Sequence, residues 1–253
     1  MTNKLKYFIG NWKMFGDFND FKIVNKINKF TQKSKNILKK KKVILCLPNI
    51  LIYDFNKKLK SKFLSLGAQN CHPHDKYGPY TGSVSSFMLK KAGAKYVILG
   101  HSENRSEGDS NILIREKIVS ALKQKLNVIF CIGETLKEKK LNKTNFVLNQ
   151  QIKHSLSKKI NFNKIIIAYE PVWSIGTNKI PNISELKVII KFIKNKLKKT
   201  LKIKKSPLVL YGGSVNSNNV KLFSDIKEID GFLIGGASQS SNKFIDIIKN
   251  YYK

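Results

Sequence analysis

Ile165-Ile166-Ile167-Ala168-Tyr169-Glu170-Pro171-Val172-Trp173-Ser174-Ile175-Gly176-Thr177-Asn178-Lys179 sets a carboxylate at the end of an apolar run and directly before a loop. Ile165 to Ala168 is β-branched and apolar without alternation, the pattern of a strand buried on both faces. Glu170 falls where that strand meets solvent, a position suited to proton transfer. The loop has the makeup of a hinged flap: Pro171 stiffens its start, Val172 and Trp173 are its apolar anchor, and Gly176 permits a sharp turn or close approach to an anion. A base under such a lid points to chemistry that excludes water.

Seven further runs have the same character: Tyr7 to Ile9, Val43 to Leu47, Phe63 to Ala68, Tyr96 to Leu99, Val128 to Ile132, Leu208 to Tyr211 and Gly231 to Ile234. Between them lie amphipathic, lysine-rich stretches: Phe18 to Phe30, Ser83 to Ala92, Ile112 to Leu126, Thr144 to Leu156, Ser184 to Leu197 and Phe244 to Tyr252. Eight βα units without a Pro-rich break favour one α/β domain over residues 1–253, a (β/α)8 barrel of eight parallel strands ringed by helices. An open doubly wound sheet is the weaker alternative. In a barrel every strand ends on one face, and chemistry-bearing residues follow five of the runs: Asn11 and Lys13, His101, Glu170, Gly212-Gly213-Ser214, and Gly235-Gly236.

Lysine and arginine number 48 against 16 acidic residues, a formal charge of +32. Arg105 and Arg115 are the only arginines, whereas nucleic-acid readers lean on arginine for bidentate and stacking contacts. The charge therefore reads as lysine spread over a solvated surface, with weak polyanion binding at low salt and no specific nucleic-acid partner. No apolar run reaches membrane-spanning length, and Met1 to Lys6 leads straight into a strand-like run without a signal peptide, so a soluble cytoplasmic protein is expected. Cys46, Cys71 and Cys131 form no CxxC pair and are expected as reduced thiols in or near the core. Cys71-His72-Pro73-His74-Asp75 crowds all its candidate ligands into one short segment and is not expected to bind metal. His154 reads as a surface residue.

Taken singly, Lys13, His101 and Glu170 each admit an ordinary reading as surface lysine, cap or salt bridge. Together with Gly10-Asn11-Trp12-Lys13-Met14, Gly67-Ala68-Gln69-Asn70, Thr81-Gly82, Gly100-His101-Ser102-Glu103, Cys131-Ile132-Gly133-Glu134, Tyr211-Gly212-Gly213-Ser214 and Gly231 to Ser238, they make an ordered set over nearly the whole chain that closely resembles the triosephosphate isomerase family. The resemblance implies interconversion of dihydroxyacetone phosphate and glyceraldehyde 3-phosphate through an enediolate, without metal or organic cofactor. Glu170 would move the proton in both half-reactions. His101 would polarise the carbonyl as a neutral imidazole, an arrangement for which this family is the standard case. Lys13 would face the developing charge, with Asn11 fixing oxygens and the lysine. Ser214, Gly235, Gly236 and Gly176 would hold the phosphate, Gly236 opening a short helix. Ile175 and Leu233 match an apolar clamp over the base, Tyr211 and Ser214 match positions that hold the closed flap, and Glu134 matches a position near Trp173.

The resemblance also implies a homodimer, in which the segment Cys71 to Ser83 inserts beside the neighbouring site and Thr81 meets the partner's Asn11 and Glu103. Two positions depart from the family pattern: Ser83 stands where an acidic residue is usual, and Asn104 where arginine is usual. Ser106 to Ile112 departs as well, and no role is carried onto it. The alternatives are a barrel acting on another sugar phosphate, and a polyanion-binding or scaffold barrel with catalysis lost. The joint presence of Lys13, His101, Glu170 and this flap disfavours both.

Overall fold

The computed structural model describes residues 7–34, 36, 38, 41–157 and 160–252, so Met1 to Lys6 lies outside the described residues. Strands β1 (Tyr7–Asn11), β2 (Lys42–Cys46), β3 (Leu64–Ala68), β4 (Tyr96–Leu99), β5 (Asn127–Ile132), β6 (Ile165–Tyr169), β7 (Val209–Tyr211) and β8 (Gly231–Ile234) pair in parallel and in chain order, and β8 returns to β1 to close a barrel. All eight expected runs become strands. The near-continuous hydrophobicity has the expected cause, since both strand faces are buried. Ile9, Ile44, Ile98, Ile129, Ile166, Leu210 and Leu233 share one cluster inside the barrel. Their neighbours Phe8, Val43, Val97, Val128, Ile167, Val209 and Phe232 belong to the second cluster, packed under the helices.

The helices are α1 (Phe21–Lys33), α2 (Asn49–Lys58), α3 (Ser86–Ala92), α4 (Ser102–Ser106), α5 (Asn111–Lys123), α6 (Leu136–Lys140), α7 (Thr144–Ser155), α8 (Ile183–Leu201) and α9 (Ser241–Tyr252). Their starts are written locally: Ser85, Ser110 and Asn182 accept first-turn N–H groups of α3, α5 and α8, and Thr135 forms a reciprocal capping box with Glu138 at α6. In α8, Leu186, Ile189, Ile190, Ile193, Leu197 and Leu201 face inward at helical spacing, leaving most of its lysines on the outer side. Among the described residues no helix is long and apolar enough to cross a membrane.

The alternation of strand and helix has one exception. Between β7 and β8 the chain makes only a 3-10 turn at Val220–Phe223. Asn216 Oδ1 takes the N–H groups of Asn218 and Asn219, and Asn219 Nδ2 donates to the Ser214 carbonyl. These side chains compete with helical pairing and hold a compact turn.

Cys46, Cys71 and Cys131 are all buried free thiols. Burial pushes Cys71 up to about 12 and raises Cys46 and Cys131 as well. The folded protein at pH 8 is therefore expected to react with no aromatic disulfide reagent on a timescale of minutes, and to release three equivalents on unfolding. A rapidly titrating thiol in the folded protein would contradict this packing.

Candidate active site

The carboxyl ends of the strands surround a cavity of about 220 Å³ lined by Asn11, Lys13, His101, Glu170, Ile175, Gly176, Ser214, Leu233, Gly235 and Gly236, among others. The expected catalytic and phosphate-binding residues thus meet in one place. Glu170 continues the β6 ladder by donating its N–H to the Ile132 carbonyl at 2.8 Å. Its side chain is almost wholly buried, with Oε1 3.6 Å from His101 Nε2. Among the described residues Oε2 is buried without a hydrogen-bond partner.

His101 occupies the cap position of α4, where Nδ1 accepts the Glu103 N–H at 3.2 Å. Accepting there uses the Nδ1 lone pair, which places the ring's proton on Nε2, facing the cavity side and Glu170. Lys13 adopts a left-handed backbone (φ 56°), a conformation that costs a side-chain-bearing residue about 1–3 kcal/mol. Asn11 Oδ1 holds it there by accepting the Lys13 N–H at 3.1 Å, and Glu103 Oε1 takes the Lys13 ammonium. Beside Lys13, where β8 pairs with β1, Trp12 Nε1 donates to the Ser238 carbonyl, and Ser238 in turn donates its N–H and Oγ–H to the Gly235 carbonyl. Gly235-Gly236 is thereby fixed, and a Cβ at Gly236 would meet no atom within 4 Å. The 3-10 turn Gly236–Gln239 starts there.

The lid is tied at both ends. At its start, the carboxylate of Glu134 accepts the Trp173 indole N–H at 2.9 Å and the Tyr169 hydroxyl at 3.1 Å, while its backbone carbonyl accepts the Val172 N–H. Burial pushes the Glu134 carboxyl above its ordinary value, opposed by the hydrogen bonds from Trp173 and Tyr169. Lys139 covers the Trp173 ring at 4.1 Å. At its far end, the buried Ser174 Oγ reaches the Lys179 carbonyl and the Tyr211 hydroxyl. Gly176 and Asn178 are left-handed (φ 69° and 59°) and line the cavity.

Several positioning residues have no role in the sequence reading. Arg105, on α4, donates to the Gly100 carbonyl after β4 and across to the Cys131 carbonyl and Asn111, bracing the loop that carries His101. Being one of two arginines in a lysine-rich chain was its signal. Gln151 of α7 satisfies both backbone groups of Gly133 at 2.9 Å. A Cβ at Gly133 would fall 1.8 Å from the Glu170 carbonyl, and one at Gly212 would fall 2.6 Å from Glu170 Cγ. No periodicity could show that these two glycines wall the base. His72 and His74 stack against Tyr80 at 4.2 and 5.2 Å between centroids, and His154 is an exposed residue bonded to Gln150.

The chain matches the family model described as triosephosphate isomerase over residues 6–251. It is 37% identical to the triosephosphate isomerases of Dictyoglomus turgidum, with 97% of this chain and 99% of that protein covered, and of Bartonella henselae, with both covered in full. The crystal structure of the Bartonella henselae triosephosphate isomerase superposes with a TM-score of 0.86 at 35% identity, covering 98% of this chain and 99% of the other. With the barrel, the cavity and the ordered motifs, these similarities show that the chain belongs to the triosephosphate isomerase family.

Proposed function

We propose that Glu170, His101 and Lys13, with Asn11, carry out the family's interconversion of dihydroxyacetone phosphate and D-glyceraldehyde 3-phosphate. The observation that carries this reading is the Glu170 carboxylate, buried beside His101 with Oε2 unpartnered among the described residues. Glu170 lines the cavity, so its carboxylate is placed to reach a substrate C–H there. Glu170 takes the proton from the carbon beside the carbonyl, the C–H electrons form the enediolate double bond, and the carbonyl oxygen gains charge. His101 Nε2–H hydrogen-bonds that oxygen and relays protons between the two oxygens, while the Lys13 ammonium offsets the charge. Glu170 then returns the proton to the neighbouring carbon. Every step uses a side chain of this chain, and no metal or organic cofactor has a part in it.

The backbone N–H groups of Gly176, Ser214, Gly235 and Gly236 are proposed to hold the phosphate, supported by their place in the lining of the cavity. Pro171, Val172 and Trp173 form the lid's stiff hinge, Ile175 and Leu233 the apolar clamp, and Tyr211 its tether. We place the protein in the cytoplasm as one barrel domain over residues 1–253, with triose phosphates as substrates and neither a membrane nor a specific nucleic acid as partner. A homodimer is supported by a second cavity of about 230 Å³ beyond Lys13 and His101, bordered by Met14, Gln69, Glu103 and Asn104. Met14 is 95% exposed and Tyr77 72% exposed, apolar surface that a partner's third loop would cover.

Replacing Glu170 by Gln keeps the shape and removes the base, so kcat measured with either triose phosphate is expected to fall by at least about 100-fold. A kcat within a few-fold of the native value would assign the base wrongly. At the interface, Asn104→Arg alone is expected to weaken the dimer by introducing a charge without its partner, and Ser83→Glu with Asn104→Arg to recover most of the loss. Sedimentation of the four variants reads this coupling; additive dissociation energies would mean that the two positions do not face each other.

A further inference from the structure

Ser174 sits in the lid next to the clamp residue Ile175, wholly buried, and its hydroxyl makes three contacts. It lies 2.6 Å from the Lys179 carbonyl, 3.1 Å from the Tyr211 hydroxyl and 3.3 Å from the Ser214 backbone nitrogen. A carbonyl can only accept, so the single Ser174 proton goes to Lys179. Tyr211 and Ser214 then both donate to Ser174 Oγ, filling its two lone pairs. Burial pushes the Tyr211 phenol up to about 12, so it keeps its proton at neutral pH. The contact is built into the backbone as well: a Cβ at Gly213 would fall 2.2 Å from Tyr211 Oη and 2.6 Å from Ser174 Oγ. One oxygen thus joins the far end of the lid, strand β7 and the turn carrying Ser214.

The Ser214 N–H is one of the donors assigned above to the substrate phosphate, and an N–H has one proton to give. We propose that Ser174 Oγ is an internal stand-in for a phosphate oxygen: it holds the Ser214 N–H when the lid is in this position, and a phosphate must displace it to bind. Displacement removes one of the two bonds that tie Ser174 Oγ to the barrel, leaving Tyr211, so Ser174 is a positioning residue that frees the lid from this position, to move over the substrate, as the anion arrives. The coupling works against affinity, since part of the phosphate's hydrogen-bond gain replaces a bond already made. This inference rests on the phosphate-site reading.

Inorganic phosphate, measured as a competitive inhibitor of isomerisation, tests it. Removing a competing hydrogen bond worth about 0.5–1.5 kcal/mol corresponds to roughly 2- to 12-fold tighter binding. Ser174→Ala is expected to lower the phosphate Ki by that factor. Ser174→Thr, which restores the hydroxyl, is expected to return Ki to the native value. A hydroxyl that only stiffened the lid would have the opposite effect, with Ser174→Ala raising Ki as the site loosens. An unchanged or raised Ki in Ser174→Ala would overturn the displacement while leaving the phosphate site in place. Failure of phosphate to compete in the native protein would overturn the site assignment, and this inference with it.

Discussion

A carboxylate held out of water without a full set of hydrogen bonds is the constraint on which the rest of the site depends. Burying such a group is costly, by several kcal/mol in real proteins, and the surrounding structure has to hold it in place. Here Glu170 is set by the ladder bond to Ile132 and crowded on two sides by Gly133 and Gly212, where no larger residue leaves room. Gln151 in turn satisfies the backbone of Gly133. The base is thus positioned by strand geometry more than by its own bonds, which leaves its oxygen for chemistry.

The two ends of the lid use different devices for the same purpose. Glu134 gathers the indole of Trp173, the hydroxyl of Tyr169 and the N–H of Val172 at the entry hinge. Ser174 gathers Lys179, Tyr211 and Ser214 at the exit. Each hub reaches a strand residue, Glu134 through Tyr169 of β6 and Ser174 through Tyr211 of β7. The lysine-rich exterior is largely independent of this machinery. Its exposed ion pairs, such as Lys58 with Asp54, contribute little. The largely buried pairs Lys117 with Asp109 and Lys194 with Asp230 instead hold loops near the two ends of the barrel. Removing one partner there would strand a charge, so these few lysines are structural while most of the +32 is solvated.

Strand number, order and face were legible in the sequence because parallel strands buried on both sides produce unbroken apolar runs such as Val128 to Ile132. The residues facing the cavity were legible because polar groups at such strand ends, like Asn11 and His101, have little structural reason to be there. What escaped was contact at a distance. Nothing local to Gln151 points at Gly133, 18 residues away, and the Arg105 contacts depend on the path of two loops. None of the amphipathic stretches read from the sequence falls between Tyr211 and Gly231, where the Asn216 and Asn219 turn bonds hold the chain without an α-helix, whereas α2 (Asn49–Lys58) forms outside those stretches.

The most direct test of the placement of Glu170 is kcat of Gly212→Ala, read beside the inhibition constant of inorganic phosphate. The added methyl would lie 2.6 Å from Glu170 Cγ, so the carboxylate must move. A displacement on the order of 1 Å can cost up to about 100-fold in rate. The expected result is a kcat reduced by at least about 10-fold with phosphate inhibition within a few-fold of native. A native kcat in this variant would contradict the claim that packing against Gly212 sets the base.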